Sequence, residues 1–486
     1  MVDRANSGRL AQDDVLQTVL AELDALASGR GPLYRRLARS VAAAVDRGAL
    51  PRGTRLPAER QLAGALGVSR GTVVTAYDAL VADGVVERRR GSGTFVLGPD
   101  TLGLPPGREG SVLVHRLVDR SSGPSPVIDL SLSVLGDAAG LPDVQLTTHD
   151  LQTTVPDTGY TPWGLPGLRD VLAEHVTGWG LPTRPEQVVV TTGAQQALSA
   201  AAMCWVRPGD VVAVDDPTYP GAIAAFTQAG ARLVPMAVDG GGVVPDEVAR
   251  ALAQRPALVY LQSGPHSPTG QVLSDQRRRV IADLLVEARV PLVEDAALHD
   301  LGWGPPCPPV AAWCRDAAVA LIGSCSKLFW GGLRVGFVRA PEPVAQRFVR
   351  IKATHDLGSS AVSQLLAERL LRDHGGFGDW RRRELQARYE VLAAGLRAHL
   401  PTWEWTPPDG GMSLWVRLPA TDAAAFAQVA LRHQVAVASQ APLSTSGLHP
   451  DRLRLSFSPT PEALTEAVHR LAAAWDDHHM GDPCRP

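Results

Sequence analysis

The chain has no run of 18 or more uncharged apolar residues, which excludes a membrane-spanning helix of ordinary length. Its first residues, Met1-Val2-Asp3-Arg4, lead into polar, acidic sequence without the apolar h-region of a secretory signal. Cysteine is scarce. Cys204, Cys307, Cys314, Cys325 and Cys484 show neither metal-ligand spacing nor an even disulfide framework. The expectation is a cytoplasmic protein with reduced thiols, no bound metal and no membrane association.

Lysine is missing altogether between Gly31 and Gly98, although that stretch is basic. Eleven Arg against five acids (Asp46, Glu59, Asp78, Asp83, Glu87) leave it at +6, and a chain total of −3 leaves the remainder at −9. A small basic module on a larger acidic one suits a polyanion-binding appendage. Arginine in place of lysine favours bidentate contacts to phosphates and base edges. At 486 residues, 45% hydrophobic and 20% charged, the chain is ordinary globular material of two or three domains.

Within the basic stretch, Leu33-Tyr34, Leu37-Ala38, Val41-Ala42 and Val45 have helical spacing that ends at Gly48. Pro51 to Pro57 is a turn-rich connector. Ala58 to Leu66 reads as a short helix, Gly67-Val68-Ser69 as a tight turn, and Ser69 as the cap of a third helix reaching about Asp83. Two short helices around a glycine turn make a helix-turn-helix. Gly84 to Val96 then alternates and turns as a β-hairpin wing.

Nearly 70 positions here resemble the winged-helix domain of GntR-type regulators. The ordered matches are L-P-A-E-R-x-L-A, G-V-S-R-x-T-V and R-x-G-S-G-T-F-V. The resemblance implies that Arg60, Ser69, Arg70 and Thr72 lie near the phosphates and bases of double-stranded operator DNA, with Gly91 at the wing tip. Backbone N–H groups at the start of the third helix favour phosphate, and Arg70 has the reach for a guanine O6/N7 pair. A winged helix used only for protein contact is the competing reading.

The domain reading has four parts. Residues 1–30 form a helical extension, carried by the stripe Val15, Leu16, Val19, Leu20, Leu23 and Leu26. Residues 31–98 are the winged helix-turn-helix, and 99–126 a Gly/Pro/Ser-rich linker. From 127 to 486, short apolar strands alternate with helix-length segments, which predicts an α/β domain built on a mostly parallel sheet. Its smaller α+β subdomain is placed at approximately 345–486.

In such sheets, ligand residues gather at the carboxyl ends of the strands. Gly193 to Gln195, Asp215 to Tyr219, Asp295 and Lys327 all fall there. Ser324-Cys325-Ser326-Lys327, with Arg334 seven residues on, suits a lysine that bonds an aldehyde cofactor beside an arginine that clamps its phosphate. A surface lysine and a structural arginine would give the same string.

This part of the chain resembles the pyridoxal 5′-phosphate (PLP) domain of fold-type-I aminotransferases. The resemblance implies that Lys327 forms the Schiff base, that Ala194 and Gln195 with Ser324 and Arg334 hold the phosphate, and that the Tyr219 ring stacks on the pyridine. It places Asp295 on the pyridine nitrogen and Ser267, ahead of Pro268-Thr269-Gly270, beside the cofactor. Tyr160 would reach the phosphate of the neighbouring subunit, and Arg454 would take an effector's α-carboxylate. Two positions depart from the pattern. Ala297 stands where the family offers a Tyr to the ring O3′, and His266-Ser267 stands where an Asn or aromatic is usual. His266, Ser267 or water is left to replace the missing phenol.

The order winged helix, linker, aminotransferase-like domain resembles the MocR subfamily of GntR regulators. It implies a PLP-dependent transcription regulator that forms a head-to-tail homodimer and senses an amine, an amino acid or a B6 vitamer. A catalytically active aminotransferase carrying a DNA-binding module is the alternative.

Overall fold

The computed structural model describes residue 16 and residues 32–46, 50, 54–83, 85–89, 93–97, 126–135, 140–155, 158–314, 317–373, 376–419 and 421–480. Gly91, the 1–30 extension apart from Leu16, and linker residues 99–125 lie outside the described residues. The chain divides into two compact units, Met1–Gly123 and Pro124–Pro486.

In the first unit, α1 (Leu33–Asp46), α2 (Glu59–Leu66) and α3 (Arg70–Ala82) precede β1 (Val86–Arg89) and β2 (Gly93–Val96). Leu37, Val41, Ala44 and Val45 share one face of α1 and join Leu62, Val73, Tyr77 and Leu80 in a common core. Gly67 closes α2 at φ 65°, a left-handed conformation that glycine adopts without a Cβ penalty. Two residues later the Ser69 hydroxyl accepts the Thr72 N–H at 3.1 Å and starts α3. The connector's C-terminal end is pinned twice. The Tyr77 hydroxyl donates to the Pro57 carbonyl at 2.9 Å, and Leu56 N–H donates to Thr94 O at 2.9 Å.

The second unit opens with β3 (Ile128–Asp129) and then builds an eight-stranded sheet from β4 (Val188–Thr191), β5 (Val211–Asp216), β6 (Arg232–Asp239), β7 (Gly242–Val243), β8 (Leu258–Leu261), β9 (Leu292–Asp295), β10 (Val319–Ser324) and β11 (Gly336–Arg339). Its order is β4-β11-β10-β9-β8-β5-β6-β7. All residues of β4, β8 and β9 are buried, as expected of strands covered on both faces. Helices Pro166–Gly178, Asp275–Ala288 and Ala361–Asp373 pack on one face, and Ala194–Trp205, Pro220–Gln228 and Glu342–Asp356 on the other.

The sheet is mixed. β11 runs antiparallel to both β10 and β4, and β7 antiparallel to β6. The link from Ser324 to Gly336 is too short for the usual helical crossover, so the chain turns back, with Arg334 at φ 52°.

The smaller subdomain has β12 (Glu404–Trp405), β13 (Ser413–Arg417), β15 (Ala438–Ser439) and β16 (Arg452–Ser456) in the order β12-β13-β16-β15, while β14 (Val435–Ala436) pairs in parallel with β3. Its core needs a correction to the expected start at 345. Phe348, Val349, Leu365 and Leu370 pack with the large sheet, whereas Leu130 and Leu135 join Leu385, Leu414 and Leu455 in the small core. The small subdomain therefore takes the first strand of the unit and recruits its helices from Phe377 onward. Among the described residues, no helix is long and apolar enough to cross a membrane.

Candidate cofactor site and DNA-facing helix

Strand register brings the sequence-predicted residues together. Asp295 lies opposite Ile322 on β10, Ser324 opposite Gly336 on β11, and Gly336 opposite Thr191 on β4. Gly336 is obligatory at this crossing, because a Cβ there would lie 2.7 Å from the Gly193 carbonyl carbon and 2.9 Å from Ala194 N. Gly193, at φ 82°, caps the helix that begins with Ala194 and Gln195. Arg334 reaches over the same glycine, and its Nη2 donates to Thr192 O at 2.8 Å. Ser324 accepts the Ser326 N–H at 3.2 Å and shapes the turn that carries Lys327. A helix N-terminus, a guanidinium and the Ser324 hydroxyl thus lie at adjoining strand ends, a donor set for a phosphate dianion. The Ser326 hydroxyl, in the turn before Lys327, is buried without a hydrogen-bond partner.

Lys327 is partly open as a residue, but its amine end is enclosed. Nζ donates to the Ser133 carbonyl at 2.6 Å. Enclosure pushes its pKa down to about 8, helped by the charges of Arg454 and Arg334 and opposed by Asp295. Asp295 is 8% exposed, and burial raises its pKa. Its Oδ1 accepts the Ala297 N–H and its Oδ2 the Tyr260 hydroxyl, each at 2.9 Å.

Tyr219 caps helix Pro220–Gln228 and donates its hydroxyl to Gln195 Oε1 at 3.1 Å. Its pKa is pushed up to about 12, mainly by burial and then by Asp295. Gly221 leaves room for this pair, since a Cβ there would lie 2.2 Å from Gln195 Oε1. Ser267 exchanges backbone hydrogen bonds with the Gln262 amide at 3.0 and 3.2 Å. His266 Nδ1 lies 2.9 Å from Thr269 Oγ1, while Nε2 is 3.2 Å from Asp215 Oδ2 and is buried without a hydrogen-bond partner.

Arg454 stands on β16 opposite Trp415 and is 4% exposed. It donates through Nη2 to the Ser131 carbonyl, while Nε is buried without a hydrogen-bond partner. Burial lowers its pKa to about 10. An orphaned guanidinium N–H at the end of a buried arginine suits a carboxylate. Tyr160 is 64% exposed and shares no described hydrogen bond with this cluster.

Sequence reasoning missed Tyr260 and the Ser131–Ser133 carbonyls. Tyr260 had a signal, since it is the polar-tipped residue near the end of the apolar run Ala257–Leu261. Main-chain carbonyls have none.

In the winged-helix unit, Ser69 Oγ and Thr72 Oγ1 are 2.9 Å apart at the start of α3, and Arg60 and Arg70 are exposed. Glu59 links Arg70 to the wing: its two oxygens each take one contact at 3.2 Å, from Arg70 and Arg88.

Residues 125–471 match the family described as aminotransferase class I and II, and residues 33–96 match the bacterial regulatory proteins of the gntR family. The probable rhizopine catabolism regulatory protein MocR of Rhizobium meliloti is 30% identical over 418 residues, 79% of this chain and 82% of that protein. The HTH-type pyridoxine biosynthesis transcriptional regulator PdxR of Corynebacterium glutamicum is 30% identical over 381 residues, 78% of this chain and 81% of that protein. Among solved structures, the alpha-aminoadipate aminotransferase LysN of Thermus thermophilus, complexed with N-(5′-phosphopyridoxyl)-L-leucine, has a TM-score of 0.68 at 26% identity. That match covers 76% of this chain and 95% of LysN.

A GntR helix-turn-helix joined to a fold-type-I aminotransferase-like domain defines a class of transcription regulator. The chain belongs to the MocR-type members of that class.

Proposed function

We propose that this protein is a cytoplasmic, PLP-dependent homodimeric repressor or activator of specific operators, controlled by a small amine, amino acid or B6 vitamer. The observation that carries the reading is shared by two residues. Lys327 and Arg454, the expected aldehyde and carboxylate ligands, both donate to carbonyls of the segment Ser131–Ser133, which follows the linker in the chain.

The donor set fits PLP. Lys327 would hold its aldehyde carbon, Ala194, Gln195, Ser324 and Arg334 its phosphate, and Asp295 its ring nitrogen, with Tyr219 over the ring and Ser267 beside it. Tyr160 would come from a partner subunit in a head-to-tail dimer. When bound, the cofactor supplies an electrophilic carbon that captures amines. The chain's own part is positional. Arg454 binds a carboxylate with the Nε proton it now leaves unpaired and releases Ser131 O. Lys327 releases Ser133 O when its nitrogen is used elsewhere. The segment then loses two anchors at once, and the protein favours another conformation only as far as the ligand discriminates between the two.

The winged helix would read operator DNA through Arg60, Ser69, Arg70 and Thr72. Operator affinity of the full chain, measured with and without PLP and with amino acids added, tests the scheme. Equal affinity in all four states contradicts ligand control. A working aminotransferase is the second reading, favoured by the likeness to LysN and disfavoured by Ala297.

A further inference from the structure

Ala297 leaves the site without a phenol on one side of Asp295, yet a phenol lies on the other. Tyr260, on β8, is 0% exposed and sits in register with Val293 on β9 and Val214 on β5. Its ring packs edge-on against Phe226, with centroids 5.8 Å apart. Its hydroxyl donates to Asp295 Oδ2 at 2.9 Å and is the only side-chain donor to Asp295 among the described residues.

The electrostatics give that bond a purpose. A buried carboxylate stays ionised only if hydrogen bonds or cations replace its water. Asp295 is buried, and the charge of Asp215 disfavours its ionisation further. Asp215 draws on other donors, the Gln262 N–H at 2.9 Å and the Thr218 hydroxyl, with the His266 ring 3.2 Å away. Only the Ala297 N–H and the Tyr260 hydroxyl remain for Asp295. Lys327 contributes attraction without a described hydrogen bond. Burial and the two aspartates raise the Tyr260 pKa, so the hydroxyl remains a donor.

We propose that Tyr260 is a positioning residue that holds Asp295 as an oriented carboxylate facing the cofactor's ring nitrogen. The site thereby keeps a phenol that acts on the nitrogen side of the ring rather than at O3′. This rests on the reading that Lys327 and Asp295 bind PLP.

The test is a double-mutant cycle on the full chain, with PLP titrated into apo-protein and followed by the absorbance of the bound cofactor. Hydrogen bonds to charged groups contribute enough that Tyr260→Phe, which keeps the ring and its packing, should weaken PLP binding about tenfold or more. In an Asp295→Asn background the same change should have almost no further effect, because the carboxylate it serves is gone. Wild-type affinity in Tyr260→Phe overturns the proposal. So does an equal loss in both backgrounds, which would mark Tyr260 as a packing residue. Failure of the underlying reading looks different: wild-type protein would then show no Lys327-dependent absorbance, and the proposal would fall with it.

Discussion

Lys327 Nζ donates to the Ser133 carbonyl across 2.6 Å, tying the turn after β10 to a segment that belongs to the other subdomain. That segment is stitched to its own side. Ser456 N–H donates to Leu130 O at 2.8 Å, and the Arg454 guanidinium takes Ser131 O. The lysine is therefore a strut between the subdomains whenever its nitrogen is a free amine. Occupying that nitrogen removes the strut, and occupying Arg454 loosens the neighbouring anchor.

Replacing Lys327 by Ala should abolish covalent retention of PLP. The chain has one other lysine, Lys352, which is 2% exposed and paired with Asp356 at 2.7 Å. It is a poor substitute nucleophile. Borohydride reduction of the PLP-loaded protein, followed by peptide mapping, should find the reduced adduct on Lys327 alone. An adduct retained in Lys327→Ala would refute the assignment.

The same lysine predicts a pH dependence. A neutral amine is needed to attack an aldehyde, and the Lys327 pKa is lowered to about 8. Covalent capture by apo-protein should therefore rise with pH, with its midpoint near 8 rather than near the ordinary lysine value. The stability sign follows from proton counts: between about 8 and 10.5 the unfolded chain binds the proton that the folded chain has lost. This group thus makes folding more favourable as pH rises through that window. Replacing Arg454 by Met removes a cation that depresses the lysine, so the capture midpoint should move upward. An unchanged midpoint would contradict the cited coupling.

Much of this architecture was legible before the structure. The Ser324–Lys327 turn, Gly193 and Asp295 lie at strand ends, where buried β-branched runs give way to polar residues, and local patterning exposes such boundaries. The reversal of β11 was not legible, because strand direction depends on loop reach and not on hydrophobic pattern. Nor was the subdomain boundary. Helices Glu342–Asp356 and Ala361–Asp373 are amphipathic whichever core they cover. The role of Ser131 and Ser133 is carried by main-chain carbonyls, to which the side-chain sequence gives no clue.

Arg454→Met should also separate cofactor binding from effector response. PLP affinity should change little, since Arg454 is the expected carboxylate ligand and the phosphate is assigned to other residues. The response of operator affinity to a carboxylate-bearing amine should be lost, while a response to amines without a carboxylate should persist. Direct binding assays on matched operator DNA check this, and a full carboxylate response in the variant would overturn the role of Arg454.

In the DNA-binding unit, Arg70 is held by Glu59 through a solvent-exposed ion pair with a side-chain exposure of 69% on the arginine. Such pairs contribute little to folding, so Arg70→Ala should leave thermal stability nearly unchanged. If Arg70 reads a base through a bidentate contact, operator affinity should fall by about 1–3 kcal/mol at matched salt. Glu59→Gln should act oppositely, strengthening DNA binding by removing a carboxylate beside the phosphates. Unchanged operator affinity in Arg70→Ala would contradict the docking of α3.

The final prediction separates regulation from catalysis. Ala297 offers only a methyl group and a backbone N–H, and that N–H is spent on Asp295 Oδ1. His266 Nδ1 is engaged by Thr269, and its Nε2 lies 3.2 Å from Asp215 without a hydrogen bond. Without a phenol at position 297 to govern the ring oxygen, proton transfer through the site should be slow even where amine capture is efficient. Holoprotein given amino acids and 2-oxo acids should show spectral change and altered operator affinity with little keto-acid product. Both quantities should be followed in one reaction. Sustained turnover on the order of 1 per second or more, with operator affinity indifferent to substrate, would establish the enzyme and remove the regulatory reading of the C-terminal unit.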